Sequence, residues 1–251
     1  MLFDDDLYIR VIVDHKQDAY LNMAIDEAIF RSHIKGLSPT TLRLYTFNKP
    51  SITYGYFQKI GPDDYKDRVR VRRITGGGVV LHQFDQTISL SIKPSEFGIK
   101  TREDLYYAFS KALRFGLSTF GDISAYKGNT DSGKQGVYEC FTKIAPEDLV
   151  VKGRKLAGYA QRRKHGYTLL QASLRMYNGE DDNAVSLEEI YGKRVNIEDV
   201  HRAIIGGFEN EWNVRVFLGE LSNYERNLAK KLLNVYMSND WNFRCERVMV
   251  K

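Results

Sequence analysis

The stretch RRITGGGVVLH, residues 72–82, places three consecutive glycines between two arginines and an apolar run that ends in a histidine. The bare triplet favours a turn or bulge between two strands, because glycine adopts backbone conformations that other residues avoid. The flanking arginines favour a second interpretation, in which an open main chain and fixed positive charge receive a carbonyl, phosphate or carboxylate. The spacing matches neither GxxxxGK[ST] nor GxGxxG, so neither of these common nucleotide-binding motifs is present.

Segments with strand character extend outward from this stretch. TLRLYTF, SITYGY, VRVRR and TISLSI lie between residues 41 and 92 and are separated by turn residues, so a sheet is predicted there. Capping residues predict helices that begin at Asp18, Thr101, Ser186, Asn196 and Ser222, and VRVFLGE is predicted to be a strand. These signals predict an α+β fold with mixed β-sheets flanked by helices. A principal domain is predicted over residues 1–180, with residues 181–251 as a small, mainly helical C-terminal extension of the same domain.

The composition is typical of a soluble globular protein, with 43% hydrophobic and 27% charged residues among 251. No apolar run approaches the roughly 18–20 residues of a membrane span, and the start MLFDDDLYIR lacks the pattern of a signal peptide. Cys140 and Cys245 are far apart and no zinc-like spacing is present, so we expect a cytoplasmic protein without a metal site. The net charge of +5 favours acidic partners without identifying one.

A second candidate stretch is CFTKIAPEDLVVKGRKLAGYAQRR, residues 140–163. An isolated cysteine is usually a small buried hydrophobe, but here several lysines and arginines follow Cys140, and nearby positive charge lowers the pKa of a thiol and favours the reactive thiolate. The KGRK segment alone would be a solvated turn. Small residues at Gly158 and Ala160, close to Lys155, indicate instead that something packs against the backbone there.

Four segments occur together in the order found in one known superfamily. They are DAYLNMAIDEAI from Asp18, LRLYTFNKPSITYGYFQ from Leu42, RRITGGGVVLH from Arg72 and KGRKLAGYAQRR from Lys152. With them, the chain resembles the lipoate-protein ligase and octanoyltransferase branch of the biotin/lipoyl attachment superfamily. The tail segments GFENEWNVRV and LSNYERNLAKKLL extend the resemblance over nearly the whole chain, and the GRGR-type loop of biotin ligases is absent. The resemblance implies a biotin/lipoyl protein ligase-like fold, with residues 1–180 as the catalytic domain.

Within that branch, the second stretch resembles one type of enzyme, the cysteine-dependent octanoyl-[acyl carrier protein]:protein N-octanoyltransferases of Gram-positive bacteria. Their pattern is C-F…DLVV-x-G-K-K-x-A-G-x-A-Q. This resemblance implies that Cys140 takes octanoate from the thioester of acyl carrier protein and passes it to a lysine of a lipoyl domain or of glycine cleavage H protein. It implies that Lys155 favours the thiolate and stabilises the oxyanion. Exchange between thioesters needs neither ATP nor a cofactor.

The resemblance also implies a substrate-binding set around the acyl group. Its members are Tyr54, Gly55, Arg72, Thr75, Gly76, Gly77, Gly78, His82, Gly158 and Ala160. The glycines would let the main chain lie against the acyl chain, and Arg72 would line the site or pair with a carboxylate. His82 is open between a ligand contact or acid/base and a hydrogen-bonded core histidine. Ala172 stands where many relatives have a histidine, in LQHGS, so a base from that position must come from elsewhere.

Three other functions remain open from the sequence. An ATP-dependent lipoate ligase shares RRITGGGVVLH, although many ligases need an accessory domain larger than the segment after residue 180. An octanoyl amidotransferase acting between H protein and lipoyl domains also uses a cysteine in this region, but its glycine loop usually contains fewer glycines. An RNA-binding protein would interleave aromatic and basic residues along a surface stripe, whereas here the aromatic residues follow strand alternation. We therefore expect no nucleic acid and no membrane as partners.

Overall fold

The computed structural model describes residues 7–61, 63–129, 140–179 and 184–245. The strands are β1 (Tyr8–Val13), β2 (Thr41–Tyr45), β3 (Ser51–Tyr54), β4 (Val69–Arg72), β5 (Val79–His82), β6 (Asp85–Ile92), β7 (Ser124–Ala125), β8 (Leu149–Val151), β9 (Arg154–Lys164), β10 (Tyr167–Arg175) and β11 (Arg215–Leu218). The α-helices are α1 (Ala19–Ile34), α2 (Arg102–Leu117), α3 (Leu187–Tyr191), α4 (Ile197–Trp212) and α5 (Asn223–Met237). Short 3-10 turns span Pro94–Phe97, Ser118–Phe120 and Cys140–Thr142, and a π-turn spans Asp240–Arg244.

The strands form two sheets. The larger has eight strands in the order β11-β1-β2-β6-β10-β9-β8-β7, and the smaller has three in the order β4-β3-β5. Strand β1 pairs parallel with β2 and β11, whereas β6, β10, β9 and β8 pair antiparallel. The predicted α+β fold with mixed sheets and flanking helices is therefore confirmed, including the strand at VRVFLGE.

Helices cover both faces of the large sheet because successive strand residues point to opposite sides. Ile9 and Val11 of β1 belong to a core shared with α2 and α4. Ile12 belongs to a second core shared with α1 and α5. The small sheet packs at the edge of this second core, through Val71 of β4.

The five predicted helix starts are confirmed. Thr101 and Ser222 each complete a capping box, with Asp104 and Glu225 respectively. Asp18, Ser186 and Asn196 each accept a backbone hydrogen bond from the first turn of their helix. These side chains satisfy amide groups that the helix itself leaves without partners.

The C-terminal segment is tied closely to the preceding part of the chain. Strand β11 extends the large sheet beside β1, α4 packs against α2, and α5 packs against α1. A buried ion pair joins Arg10 of β1 to Glu225 of α5, and Ser38 also donates to that carboxylate at 2.7 Å. The boundary at residue 180 stays a prediction.

Candidate active site

A cavity lies where the small sheet faces strands β9 and β10 of the large sheet. The residues that line it are Met23, Tyr45, Thr53, Arg73, Val80, His82, Thr87, Gly158, Tyr159, Ala160, Gln171, Ala172 and Ser173. They come from α1, from both sheets and from the glycine segment, so only the folded chain brings them together. Of the predicted substrate-binding residues, His82, Gly158 and Ala160 are in this lining.

The glycine loop, residues 73–78, joins β4 to β5 beside the cavity, and three sets of contacts fix its position. Arg73 donates from Nη2 to the carbonyl oxygens of Gly76 at 2.6 Å and Gly78 at 2.8 Å. Thr75 donates its hydroxyl to Gln171 Oε1 at 2.7 Å. A Cβ on Gly55 would lie 2.0 Å from the carbonyl oxygen of Gly77. Gly55 therefore has no side chain because the glycine loop lies directly against it.

Arg72 and Tyr54 face away from the cavity, contrary to what the sequence suggested for their place beside the acyl group. The Arg72 guanidinium donates to four carbonyl oxygens, those of Tyr56, Gln58, Trp241 and Asn242. Tyr54 donates to the carbonyl of Asn242 at 2.6 Å. These contacts attach the C-terminal π-turn to the small sheet. The cavity-side arginine is Arg73, which the sequence reasoning missed, although strand alternation in VRVRR could have separated it from Arg72.

Lys155 is buried rather than part of a solvated turn. Its Nζ lies 2.6 Å from Asp148 Oδ2 and donates to the carbonyl of Lys143 at 2.9 Å. A Cβ on Gly158 would lie 2.5 Å from Lys155 Cε. The close packing predicted at Gly158 is therefore the lysine's own side chain. Burial raises the pKa of the Asp148 carboxyl, while Lys155 and the amide of Ala145 act in the opposite direction.

Cys140 begins the 3-10 turn Cys140–Thr142, and its side chain lies outside the described part of the structure. The turn contacts both β5 and β9. Its Phe141 packs against Val80 of the cavity wall, and the Phe141 ring lies 5.9 Å from Lys155 Nζ. The turn thus lies between the strand that follows the glycine loop and the strand that carries Lys155.

His82 is both a hydrogen-bonded buried histidine and a residue of the cavity wall. Its Nδ1 lies 2.8 Å from Asp85 Oδ2, and its Nε2 lies 2.8 Å from Thr53 Oγ1. The ring stacks on Phe47 with a centroid separation of 3.9 Å. Ala172, where many relatives have a histidine, also lines the cavity and has no titratable side chain. Among the described residues that line the cavity, His82 is therefore the histidine.

A buried polar network beneath the cavity was not predicted. Asp26 of α1 accepts hydrogen bonds from the side chains of Arg43, Tyr45, Ser89 and Gln171, and Arg43 is fully buried. Because Gln171 also accepts from Thr75, the network fixes the glycine loop to α1. The sequence carried no local signal for this network, because Arg43 alternates with Leu42 and Leu44 as a solvent-facing strand residue would.

Within the described ranges, no group of three or more histidine, cysteine, aspartate or glutamate side chains has the arrangement of a metal site. In the same part of the chain, no helix has the length and apolar character that a membrane crossing requires.

The chain is similar in sequence to a known family of catalytic domains. Residues 18–180 match the lipoyl protein ligase A/B catalytic domain family, so the chain belongs to that family, as its sequence motifs predicted. The octanoyltransferase LipM of Kyrpidia tusciae is 31% identical over 94% of this chain and 98% of its own length. The octanoyltransferase LipM of Clostridioides difficile is 30% identical over 93% and 97%. The predicted acyltransferase class is therefore confirmed, and the ligase alternative is not favoured.

Solved structures agree on the fold. A bipartite lipoate protein ligase of Thermoplasma acidophilum, studied with its E2 lipoyl domain, superposes with a TM-score of 0.76 at 20% identity over 98% of this chain and all of its own. Lipoate-protein ligase A bound with ATP gives a TM-score of 0.76 at 22% identity over 95% of this chain and 98% of that one. At these identities the likeness concerns the fold alone.

Proposed function

We propose that this protein transfers octanoate from the thioester of acyl carrier protein, through a thioester on Cys140, to a lysine of a lipoyl domain. One observation carries the proposal: the turn that begins at Cys140 contacts both the strand following the glycine loop and the strand of the buried Lys155. Glycine cleavage H protein is a second acceptor in this proposal. The wide spacing of the two cysteines supports a reducing, cytoplasmic location.

In the first half-reaction, the Cys140 thiolate attacks the octanoyl carbonyl carbon. A bond forms between this sulfur and the acyl carbon, the bond to the carrier's sulfur breaks, and the carrier leaves as a thiolate that solvent protonates. Lys155, fixed by Asp148 and the Lys143 carbonyl, supplies positive charge beside the turn. That charge favours the thiolate and stabilises the oxyanion of the tetrahedral intermediate.

In the second half-reaction, the neutral amine of the acceptor lysine attacks the new thioester. The product is an amide, which is more stable than a thioester, so no ATP is needed. We assign the octanoyl chain to the cavity, whose wall includes the apolar side chains of Met23, Val80 and Ala160. Thr75 and the glycines at 76–78 would form its backbone wall. The net charge of +5 supports acidic carrier and lipoyl domains as partners.

The test is to incubate the protein with octanoyl-acyl carrier protein, without ATP, and to record its intact mass. We expect a hydroxylamine-sensitive octanoyl adduct that is absent in Cys140→Ala and present in Cys245→Ala, the matched control. Octanoyl transfer to a lipoyl domain that requires ATP and survives Cys140→Ala would contradict the proposal.

A further inference from the structure

The His82 imidazole is oriented by a carboxylate that has three donors. Asp85 Oδ2 lies 2.8 Å from His82 Nδ1, 2.8 Å from Ser173 Oγ and 3.1 Å from Thr87 Oγ1. An ionised carboxylate only accepts hydrogen bonds, so Nδ1 carries a proton and the ring's remaining lone pair is on Nε2. Ser173 and Thr87 come from the adjacent strands β10 and β6, so the large sheet fixes the position of this carboxylate.

Among the described residues, the Nε2 lone pair faces the hydroxyl of Thr53, which lies in the cavity wall. Thr53 Oγ1 is 2.8 Å from Nε2 and accepts a hydrogen bond from Arg73 Nη1 at 3.2 Å. Because the arginine can only donate, the threonine hydroxyl is left to donate its own proton to Nε2. Both Thr53 and His82 line the cavity. The hydrogen bonds therefore run in one direction, from the cavity through Thr53 and His82 to Asp85.

We propose that His82 is the proton acceptor for the acceptor lysine in the second half-reaction, with Thr53 as the relay and Asp85 as the positioning residue. This inference rests on the proposed function of the same site. Lys155 is a poorer choice for the base, because its Nζ already donates to Asp148 and to the Lys143 carbonyl. The histidine instead has an Nε2 lone pair that accepts the threonine proton, and a carboxylate that stabilises the imidazolium formed.

These groups account for every bond that forms or breaks in this step and for the proton that moves. The lysine nitrogen forms a bond to the acyl carbon, and the carbon–sulfur bond breaks to release the Cys140 thiolate. The nitrogen's surplus proton passes to Thr53 Oγ1 as the threonine's own proton moves to His82 Nε2. The imidazolium then releases that proton to solvent. The first half-reaction ends with a thiolate leaving group, so it does not use His82.

The inference predicts that the two half-reactions separate. In His82→Gln, octanoyl-enzyme forms from octanoyl-acyl carrier protein, but single-turnover transfer to a lipoyl domain slows by about 10²–10⁴-fold. The acylated protein therefore accumulates in the intact mass spectrum. Hydroxylamine, whose conjugate acid is far more acidic than a lysine ammonium, gives up its proton to water and still releases the octanoyl group from the variant rapidly.

Variants of the other two residues complete the test. Asp85→Asn removes the carboxylate that orients His82 and should slow transfer in the same step. Thr53→Val should also slow transfer, whereas Thr53→Ser keeps the hydroxyl and restores most of the rate. The threonine pair keeps the test decisive if His82→Gln does not fold, because valine is nearly isosteric with threonine.

Several results would overturn the inference. Transfer at the wild-type rate in His82→Gln or Thr53→Val would exclude the relay. Equal slowing of acylation, transfer and hydroxylamine release would show that the histidine only maintains the cavity's shape. Failure of the wild-type protein to form any octanoyl-enzyme would instead refute the proposed function, which this design measures separately.

Discussion

The two sides of the small sheet have different roles, although they are built from neighbouring residues. On one side, Arg72 and Tyr54 bind the backbone of the C-terminal π-turn. On the other side, Arg73 and Thr53 face the cavity and contact the glycine loop and His82. Adjacent arginines thus divide into one that attaches the end of the chain and one that shapes the site.

The difference follows from strand geometry. Successive residues of a strand point to opposite faces, so each motif residue is committed to one side by its position alone. On the C-terminal turn side, Arg72 and Tyr54 are buried and bonded to backbone carbonyls. On the cavity side, Gly76 is partly buried and Gly77 is exposed. Substitutions on the first side should therefore change stability, and those on the second side should change activity.

Arg72→Met should have the largest effect, and its effect should be on stability. The substitution leaves four carbonyl oxygens without their charged donor, and we expect the free energy of unfolding to fall by about 3 kcal/mol. Urea titration measures this loss. Arg70→Met, two residues earlier on the same strand and less buried, is the matched control and should change stability by less than about 1 kcal/mol. Equal losses in both variants would contradict the comparison.

Arg73→Met should mainly reduce activity. Without the guanidinium, the Gly76 and Gly78 carbonyls lose the group that sets the loop's shape, and we expect kcat/KM for octanoyl transfer to fall by about 10²-fold. The loss of stability should be smaller than in Arg72→Met, because two carbonyls rather than four lose a donor and the partly buried Gly76 carbonyl can bind water instead. The opposite ranking in stability would show that both arginines are structural.

Most of the fold was accessible from the sequence because its signals are local. Caps at Thr101 and Ser222, alternation in the strands and four ordered motifs each depend on neighbouring residues. The same motifs predicted Lys155 and the glycine loop as parts of the site.

The features of the site that the sequence did not predict depend on contacts between elements that are distant in the chain. The cavity forms where the small sheet meets β9 and β10. Strand alternation alone separates Arg72 from Arg73, but which of the two faces the cavity depends on the orientation of the small sheet. The Asp26–Arg43 pair joins α1 to β2, and no short motif encodes it. His82 could not be assigned because its partner Thr53 lies 29 positions away in the sequence.

Gly158→Ala extends the comparison to the opposite wall of the cavity. The new Cβ would lie 2.5 Å from Lys155 Cε and 2.6 Å from Nζ, so the flexible lysine must move away from Asp148. We expect the rate of octanoyl-enzyme formation to fall by about 10-fold or more, with little change in unfolding. Gly206→Ala in α4, where a Cβ meets nothing within 4 Å, is the control and should leave the acylation rate unchanged. An unaltered acylation rate in Gly158→Ala would mean that the lysine's position is not critical.

Acid conditions should reduce stability through His33 of α1, which is not among the residues that line the cavity. Burial, with Arg10 and Lys93 assisting, lowers the pKa of His33 to about 4, against the opposing influence of Glu96 and Ser91. The folded protein therefore keeps His33 neutral while the unfolded chain takes up a proton below about pH 6.5. The stability that His33 contributes is complete above about pH 6.5 and is lost progressively as the pH falls towards 4.

Between pH 7 and pH 5 we expect the free energy of unfolding to fall by about 1–2 kcal/mol, measured by urea titration. In His33→Gln this part of the pH dependence should disappear. If the slope persists in that variant, other groups cause it. Measuring octanoyl transfer and unfolding over the same pH range separates a direct effect of pH on the reaction from a loss of the fold.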